Sequence, residues 1–366
     1  MKRALALESL VRSRTEAGAR FFEVEAERVA LLCRELAERF TRGGRLLAVG
    51  DSPQAWSDAH HVAVEFVHPV IVGKRALPAL ALARDELARM AEADDAVVSF
   101  EPLRFAVGDA DWPFDPPTDD PFVRQELCET LYHVVWELVH VFFEHLGGST
   151  AGAGAADFLY PFLTGRESSL DHVVEDVRRS VLMKSEEVSR LREQTLDEGA
   201  VELAQAAAAI RESLDRGGTL LAFGNGGSAT DAADVVADFR TAPQGWPHRR
   251  ALDLAADPSI LTALANDIGP QVLFQRQVIA YGRRGDAVLA LSTSGNSENV
   301  VFALEEARRR GLRTIAMVGY DGGRVASARL ADHVVVTRSD HIPRIQEAQA
   351  SAYHVVCELL QEGEEP

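Results

Sequence analysis

With 366 residues, 46% of them hydrophobic, the chain is long enough for two ordinary domains, each with its own core. A formal charge of −18 argues against nucleic acid or an anionic membrane as a general partner. Cys33, Cys128 and Cys357 lack CxxC spacing and read as small core residues of a reducing compartment, and no signal peptide or apolar run of ~18 residues is evident, so a cytoplasmic location is expected.

From about Thr15 to Thr41 the apolar residues Phe22, Val29, Leu32, Leu36 and Phe40 fall on one helical face. The run Arg42-Gly43-Gly44-Arg45-Leu46-Leu47-Ala48-Val49-Gly50 follows. It returns as Arg216-Gly217-Gly218-Thr219-Leu220-Leu221-Ala222-Phe223-Gly224, at an offset of 174 and after another amphipathic helix. A second match pairs Val123 to Leu138 with Arg344 to Leu359, at an offset of 221. The chain reads as a tandem duplication whose first copy lacks about 47 residues internally. Where the second copy has the region of Gly285 to Gly323, the first has Ala96 to Pro121, rich in Pro and Asp and expected to be an irregular loop. The glycine-rich stretch Gly147 to Ala156 reads as a connector, and Phe158 to Leu196 as mostly helical. The expected division is a first copy over 15–146, a connector and helical segment over 147–180, and a second copy over 181–366.

In the second copy, the apolar run Leu220 to Phe223 ends in Gly224-Asn225-Gly226-Gly227-Ser228 and passes into a helical pattern, with Ser228 near its cap. Glycines let backbone N–H groups crowd round an anion, but a strand-to-helix turn also needs glycine for conformational reasons. The loop Ser292-Thr293-Ser294-Gly295-Asn296-Ser297 again follows an apolar run, Ala287 to Leu291, and again leads into a helix. Two such loops at strand C-terminal ends are what a parallel α/β sheet needs to hold one phosphate monoester. With further strands at Ala251 to Leu254, Thr314 to Val318 and His333 to Val336, the pattern predicts a parallel sheet with helices on both faces. The first copy carries Gly50-Asp51-Ser52-Pro53-Gln54 in place of the glycine loop.

The stretches GNGGSATDAADVVADF, DPSILTALANDIG, LSTSGNSENV and PRIQEAQASAYHVVCEL resemble the SIS (sugar isomerase) domain, and within it the sedoheptulose 7-phosphate isomerase (phosphoheptose isomerase) branch. The similarity runs from about Ser185 to the C-terminus, and more weakly from Phe21 to Glu144. It implies an α/β fold of two tandem SIS domains. Each would be a parallel sheet flanked by helices, in three α/β/α layers of flavodoxin-like or Rossmann-like type, the first shortened. Because the family assembles four such domains, a homodimer is implied.

The resemblance also implies chemistry. The family holds zinc with a His and a Glu four apart after the glycine loop, and with a Gln and a His eight apart on the last helix. By position, the first copy offers His61, Glu65, Gln125 and His133, while the second offers Asp234, Asp238, Gln346 and His354. Glu65 with His133, or Asp238 with His354, would then shuttle protons. Asn225, Gly226, Ser228, Ser292, Thr293, Ser294 and Ser297 would grip the phosphate. Taken alone, the His61–Glu65 spacing is more often a surface contact than a metal pair, and Asp231, Asp234 and Asp238 equally suit a helix's acidic first turns.

The expected function is isomerisation of a phosphorylated sugar, sedoheptulose 7-phosphate to D-glycero-D-heptose 7-phosphate, through an enediol. The site would lie in either copy or be shared between them. Two other classes stay open: a phosphosugar-binding sensor or adaptor without catalysis, and a scaffold in which the first copy only buries an interface.

Overall fold

The structure, a computed structural model, describes residues 2–70, 74–146 and 170–361. The connector expected at Gly147 to Ala156 lies outside them. The chain divides into two compact units, one of Arg14–Ser189 and one of Arg190–Pro366 together with Met1–Ser13. Among the described residues no helix is long and apolar enough to cross a membrane.

The first unit takes most of helix α1 (Lys2–Thr41), then β1 (Leu46–Val49), α2 (Pro53–Val67), β2 (Ala79–Leu82) and α3 (Arg84–Met90). Next come β3 (Ala96–Phe100), β4 (Leu103–Val107), β5 (Ala110–Pro113) and helix α4 (Pro121–Leu146). The α1 stripe Phe22, Val29, Leu32, Leu36 and Phe40 is buried, as its 3.6-residue period requires, and it shares a core with the apolar residues of α4. The strand order is β2-β1-β3-β4-β5, parallel through β2, β1 and β3 and antiparallel from β3 to β5.

This corrects the expectation of an irregular loop over Ala96 to Pro121. Residues 96–100 alternate buried and half-buried side chains against β1, and β4 and β5 fold back on them as a meander. The Pro and Asp residues that suggested a loop cluster after Asp109, beyond the strand that matters.

Helix α5 (Leu170–Glu198) contributes residues to both units. The second unit continues with α6 (Ala200–Asp215), β6 (Leu220–Phe223), α7 (Gly227–Arg240), β7 (Ala251–Asp253), α8 (Pro258–Asp267) and α9 (Leu273–Tyr281). It ends with β8 (Ala287–Ser292), α10 (Glu298–Arg310), β9 (Arg313–Gly319), α11 (Gly323–Ser327), β10 (His333–Thr337) and α12 (Ile342–Gln361). The sheet is wholly parallel in the order β10-β9-β8-β6-β7, and its four expected later strands lie where the apolar runs placed them.

The pairings expose the duplication more fully than the residues do. β1 pairs with Leu46 opposite Ala96, and β6 with Leu220 opposite Ala287, so β3 is the counterpart of β8. Between β3 and α4 the first copy has β4 and β5 where the second has α10 through β10, and between β2 and β3 it has only α3 where the second has α8 and α9. Each copy also carries a buried aspartate just before that strand. Asp95 Oδ1 accepts the Arg45 N–H (2.8 Å) and Asp95 Oδ2 the Glu92 N–H (2.9 Å). Asp286 does the same for Thr219 (2.9 Å) and Arg283 (2.8 Å). One carboxylate thus ties the start of the central strand to the turn that feeds its neighbour.

Asp286→Ala should lower stability by about 2 kcal/mol, because two partly buried backbone donors lose a charged acceptor. Asp286→Asn, which keeps one carbonyl oxygen, should cost less. Urea denaturation of the two variants beside the parent measures both.

Candidate active site

In the second unit β6 lies beside β8, with β7 beyond β6 and β9 beyond β8, so the connections leaving β6 and β8 run to opposite sides. Such a switch point opens a crevice at the strand C-terminal ends. Both candidate phosphate loops rim it: Gly224–Ser228 follows β6, and Ser292–Ser297 follows from the end of β8. All seven residues proposed for phosphate are therefore brought to adjacent strand ends.

Gly224 is required at its place, because a Cβ there would lie 2.3 Å from the Ser228 carbonyl oxygen. Gly226, before helix α7, has φ +57°, a left-handed backbone that glycine adopts without strain. Ser228 is buried, whereas Asn225 and Gly226 face solvent. In the second loop, Ser292 Oγ accepts the Gly295 N–H (3.2 Å) and Ser294 Oγ the Asn296 N–H (3.2 Å). Asn296 Oδ1 accepts the Arg324 N–H (2.9 Å), and the Gly295 carbonyl accepts the Val325 N–H (3.0 Å). The loop is thereby held against the start of α11 before any ligand arrives. Ser297 is the residue before α10, yet its side chain makes no capping bond to that helix, which leaves its hydroxyl available to a ligand.

Further along α7, Asp234 and Asp238 meet His354 of α12. The His354 Nε2 lies 3.5 Å from Asp234 Oδ2 and 3.4 Å from Asp238 Oδ2, with all three residues buried. Tyr353 donates its hydroxyl to Asp234 Oδ2 at 2.9 Å. Gln346 is buried earlier on the same helix.

The first unit repeats this arrangement with different side chains. His61 and Glu65 on α2 meet His133 on α4: the two imidazole Nε2 atoms are 3.3 Å apart, and His61 Nε2 is 3.9 Å from Glu65 Oε1. Burial, and then the neighbouring His133, hold His61 well below the ordinary imidazole pKa, so it is neutral near pH 7. The Tyr132 hydroxyl is 3.0 Å from His61 Nδ1. Tyr132 and Tyr353 thus make the same contact in each copy, one to His61 and one to Asp234, which identifies Asp234 as the positional equivalent of His61. Neither tyrosine stood out in the sequence, although each precedes its histidine in a shared Tyr-His-Val-Val stretch.

Do these residues suit a metal ion? One ligand atom each from His61, Glu65 and His133 lies within 4.8 Å of the others. Gln125 donates its Nε2 to Asp58 Oδ1 (3.2 Å), while its Oε1 is buried with no hydrogen-bond partner. Two imidazoles, a carboxylate and an unsatisfied amide oxygen fit a zinc-class ion. Asp234, Asp238 and His354 also gather within 4.8 Å, but two carboxylates replace an imidazole and a longer carboxylate.

The first unit's loop engages protein groups. Ser52 caps α2 by accepting the Ala55 N–H (3.1 Å), and its own N–H goes to Glu101 Oε2 (3.2 Å). Asp51 pairs with Arg84 across the mouth of a 660 Å³ cleft that Trp56 also lines. Protein carboxylates hold the position that an anion takes beside a glycine loop.

Gly295→Ala should strain the second loop by about 1–3 kcal/mol. Its φ is +62°, and a Cβ would come 2.3 Å from the Gly322 carbonyl oxygen. Hydrogen exchange of the Val325 amide, which bonds Gly295, should speed up in that variant while amides of the first unit keep their rates.

The comparisons agree with this geometry. A family model described as the SIS domain matches residues 185–319. The phosphoheptose isomerase of Thermodesulfovibrio yellowstonii is 40% identical over 178 residues, covering 48% of this chain and 88% of that protein. That of Pelobacter propionicus is 44% identical over 165 residues, covering 44% and 85%. Among solved structures, the C-terminal domain of glucosamine-fructose-6-phosphate aminotransferase from Francisella tularensis has a TM-score of 0.58 at 10% identity, covering 97% of this chain and 94% of that one. Tagatose-6-phosphate ketose/aldose isomerase from Escherichia coli has a TM-score of 0.52 at 13% identity, covering 97% and 91%. At such identities these two structures show the fold alone. Given relatives at 40% identity that are matched over most of their length, the chain belongs to the SIS-domain family, in its phosphoheptose isomerase branch.

Proposed function

We propose that the protein is a sugar-phosphate aldose–ketose isomerase acting on sedoheptulose 7-phosphate, with the second unit holding the substrate. The observation that carries this reading is a single helix, α7, with a phosphate loop at its N-terminus and a buried carboxylate–histidine group further along. Asp234 and Asp238 stand ~9 and ~15 Å along the helix from Ser228. That separation suits a phosphate at one end of an extended sugar and the reacting carbons at the other.

In this mechanism Asn225, Gly226, Ser228, Ser292, Thr293, Ser294 and Ser297 bind the phosphate and fix the chain's direction. Of Asp238 and His354, 3.4 Å apart, one takes the proton from C1 of the ketose and returns it to C2, while the other carries the hydroxyl proton from O1 to O2 through the enediol, so that a C1 aldehyde and a C2 alcohol result. In the first unit His61, Glu65, Gln125 and His133 would hold zinc, which when bound supplies a Lewis acid. Tyr132 would keep His61 in the tautomer whose Nε2 lone pair is free. Two such domains per chain support a homodimer as the assembly.

The test is NMR of sedoheptulose 7-phosphate in deuterated water with the full-length protein. The reading predicts an aldose phosphate bearing deuterium at C2, with His354→Gln slowing its appearance at least about 100-fold. The replacement of the imidazole of His61 by Asp234 favours one second reading, a phosphosugar-binding protein without turnover. Ligand line broadening with no deuterium incorporation would decide for it.

Metal content is read separately. The chain purified with zinc should carry an ion that His61→Ala removes, and Tyr132→Phe should weaken chelator-measured affinity about tenfold. Unchanged zinc content in His61→Ala would remove the first unit's ligand assignment.

A further inference from the structure

The two phosphate loops are joined by a side-chain pair outside the set already assigned. Asn225 Nδ2 donates to Asn299 Oδ1 (3.0 Å), and Asn299 Nδ2 donates back to Asn225 Oδ1 (2.8 Å). Asn225 belongs to the glycine loop after β6, and Asn299 lies in the first turn of α10, just after the Ser/Thr loop. This reciprocal amide pair bridges the crevice between the two strand ends.

The loops differ in what else holds them. The Ser/Thr loop is pinned to α11 through Asn296–Arg324 and Gly295–Val325. The glycine loop is exposed at Asn225 and Gly226, and a Cβ placed on Gly226 would meet nothing within 4 Å. Its backbone is held at the start of α7, where the Asn225 and Gly226 carbonyls accept the Ser228 (3.1 Å) and Ala229 (2.9 Å) N–H groups, so the tie from Asn299 acts on the exposed Asn225 side chain and spares the entropy of ordering it around an anion.

Orientation is the second element. The Val300 backbone N–H points at Asn299 Oδ1 (3.0 Å), and because a donor must face an oxygen, the Asn299 amide has one allowed sense. Reciprocal pairing then fixes the sense of the Asn225 amide. An amide nitrogen carries two hydrogens, and only one is spent on Asn299. The other is left for a ligand.

We propose that Asn299 is a positioning residue for anion binding: it ties the glycine loop to the pre-set Ser/Thr loop and orients the Asn225 amide so that its second N–H faces the phosphate. The proposal deepens the phosphate-binding part of the function above and is independent of whether the bound sugar is turned over.

The experiment is calorimetric titration of the full-length protein with inorganic phosphate, for the parent, Asn299→Ala, Asn225→Ala and the double variant. Asn299→Ala should weaken phosphate roughly five- to tenfold, the scale of one lost hydrogen-bonded tie, with the thermal midpoint unchanged. In the Asn225→Ala background it should add nothing, because Asn299 acts through Asn225. With sedoheptulose 7-phosphate the loss should fall on KM and leave kcat unchanged. Parent-like phosphate affinity in Asn299→Ala, or losses that multiply in the double variant, would overturn the proposal, as would a parent that binds no phosphate. Phosphate binding that follows the expected pattern without deuterium exchange would sink the isomerase reading alone.

Discussion

The pairing of β6 with β8 in parallel, Leu220 opposite Ala287, constrains everything else in the second unit. Parallel neighbours end side by side, so whatever follows them must share one crevice. The two loops converge for that reason, and the helices that leave them can only pack back on the sheet. Asp286 secures the register from the other end, by accepting one N–H from before β6 and another from before β8. The first unit has the same three central strands and the same aspartate device, at Asp95, but beside its cleft Glu101 takes the Ser52 N–H and Asp51 pairs with Arg84. A shared scaffold therefore carries two different sites.

How far this was legible in the sequence depends on the kind of signal. The glycine loop, the Ser/Thr loop and the strands feeding them were visible because local physics writes them: apolar runs of strand length and glycines where the backbone turns. The duplication was visible where residues still matched, around β1 and β6 and along α4 and α12. It was invisible at β3, whose residues have diverged from β8 while the ladder has not, and the neighbouring prolines and aspartates drew attention to a loop. Ladder register is a nonlocal property, and only the pairing partner reveals it.

The site residues divide in the same way. His61, Glu65 and His133, and likewise Asp234, Asp238 and His354, come together in the structure as the family resemblance implied, although helical spacing alone favoured a plainer reading. Tyr132, Tyr353, Asn299 and Glu101 were missed because their roles lie in what they touch across the fold. A tyrosine inside an apolar helix face is indistinguishable in sequence from a core residue, and Asn299 is one more polar residue in a first helical turn. Gln125 is a further case: its candidacy came from the resemblance, and only the Asp58 contact explains how its amide is oriented.

The tyrosine contact has a consequence for how the two copies came apart. A phenol hydroxyl both donates and accepts, so Tyr132 satisfies an imidazole nitrogen and Tyr353 a carboxylate oxygen with no change of its own. Exchanging imidazole for carboxylate at that position therefore leaves no buried group orphaned on the tyrosine side. The cost falls on the other side of the carboxylate, where Asp234 Oδ1 is buried without a hydrogen-bond partner.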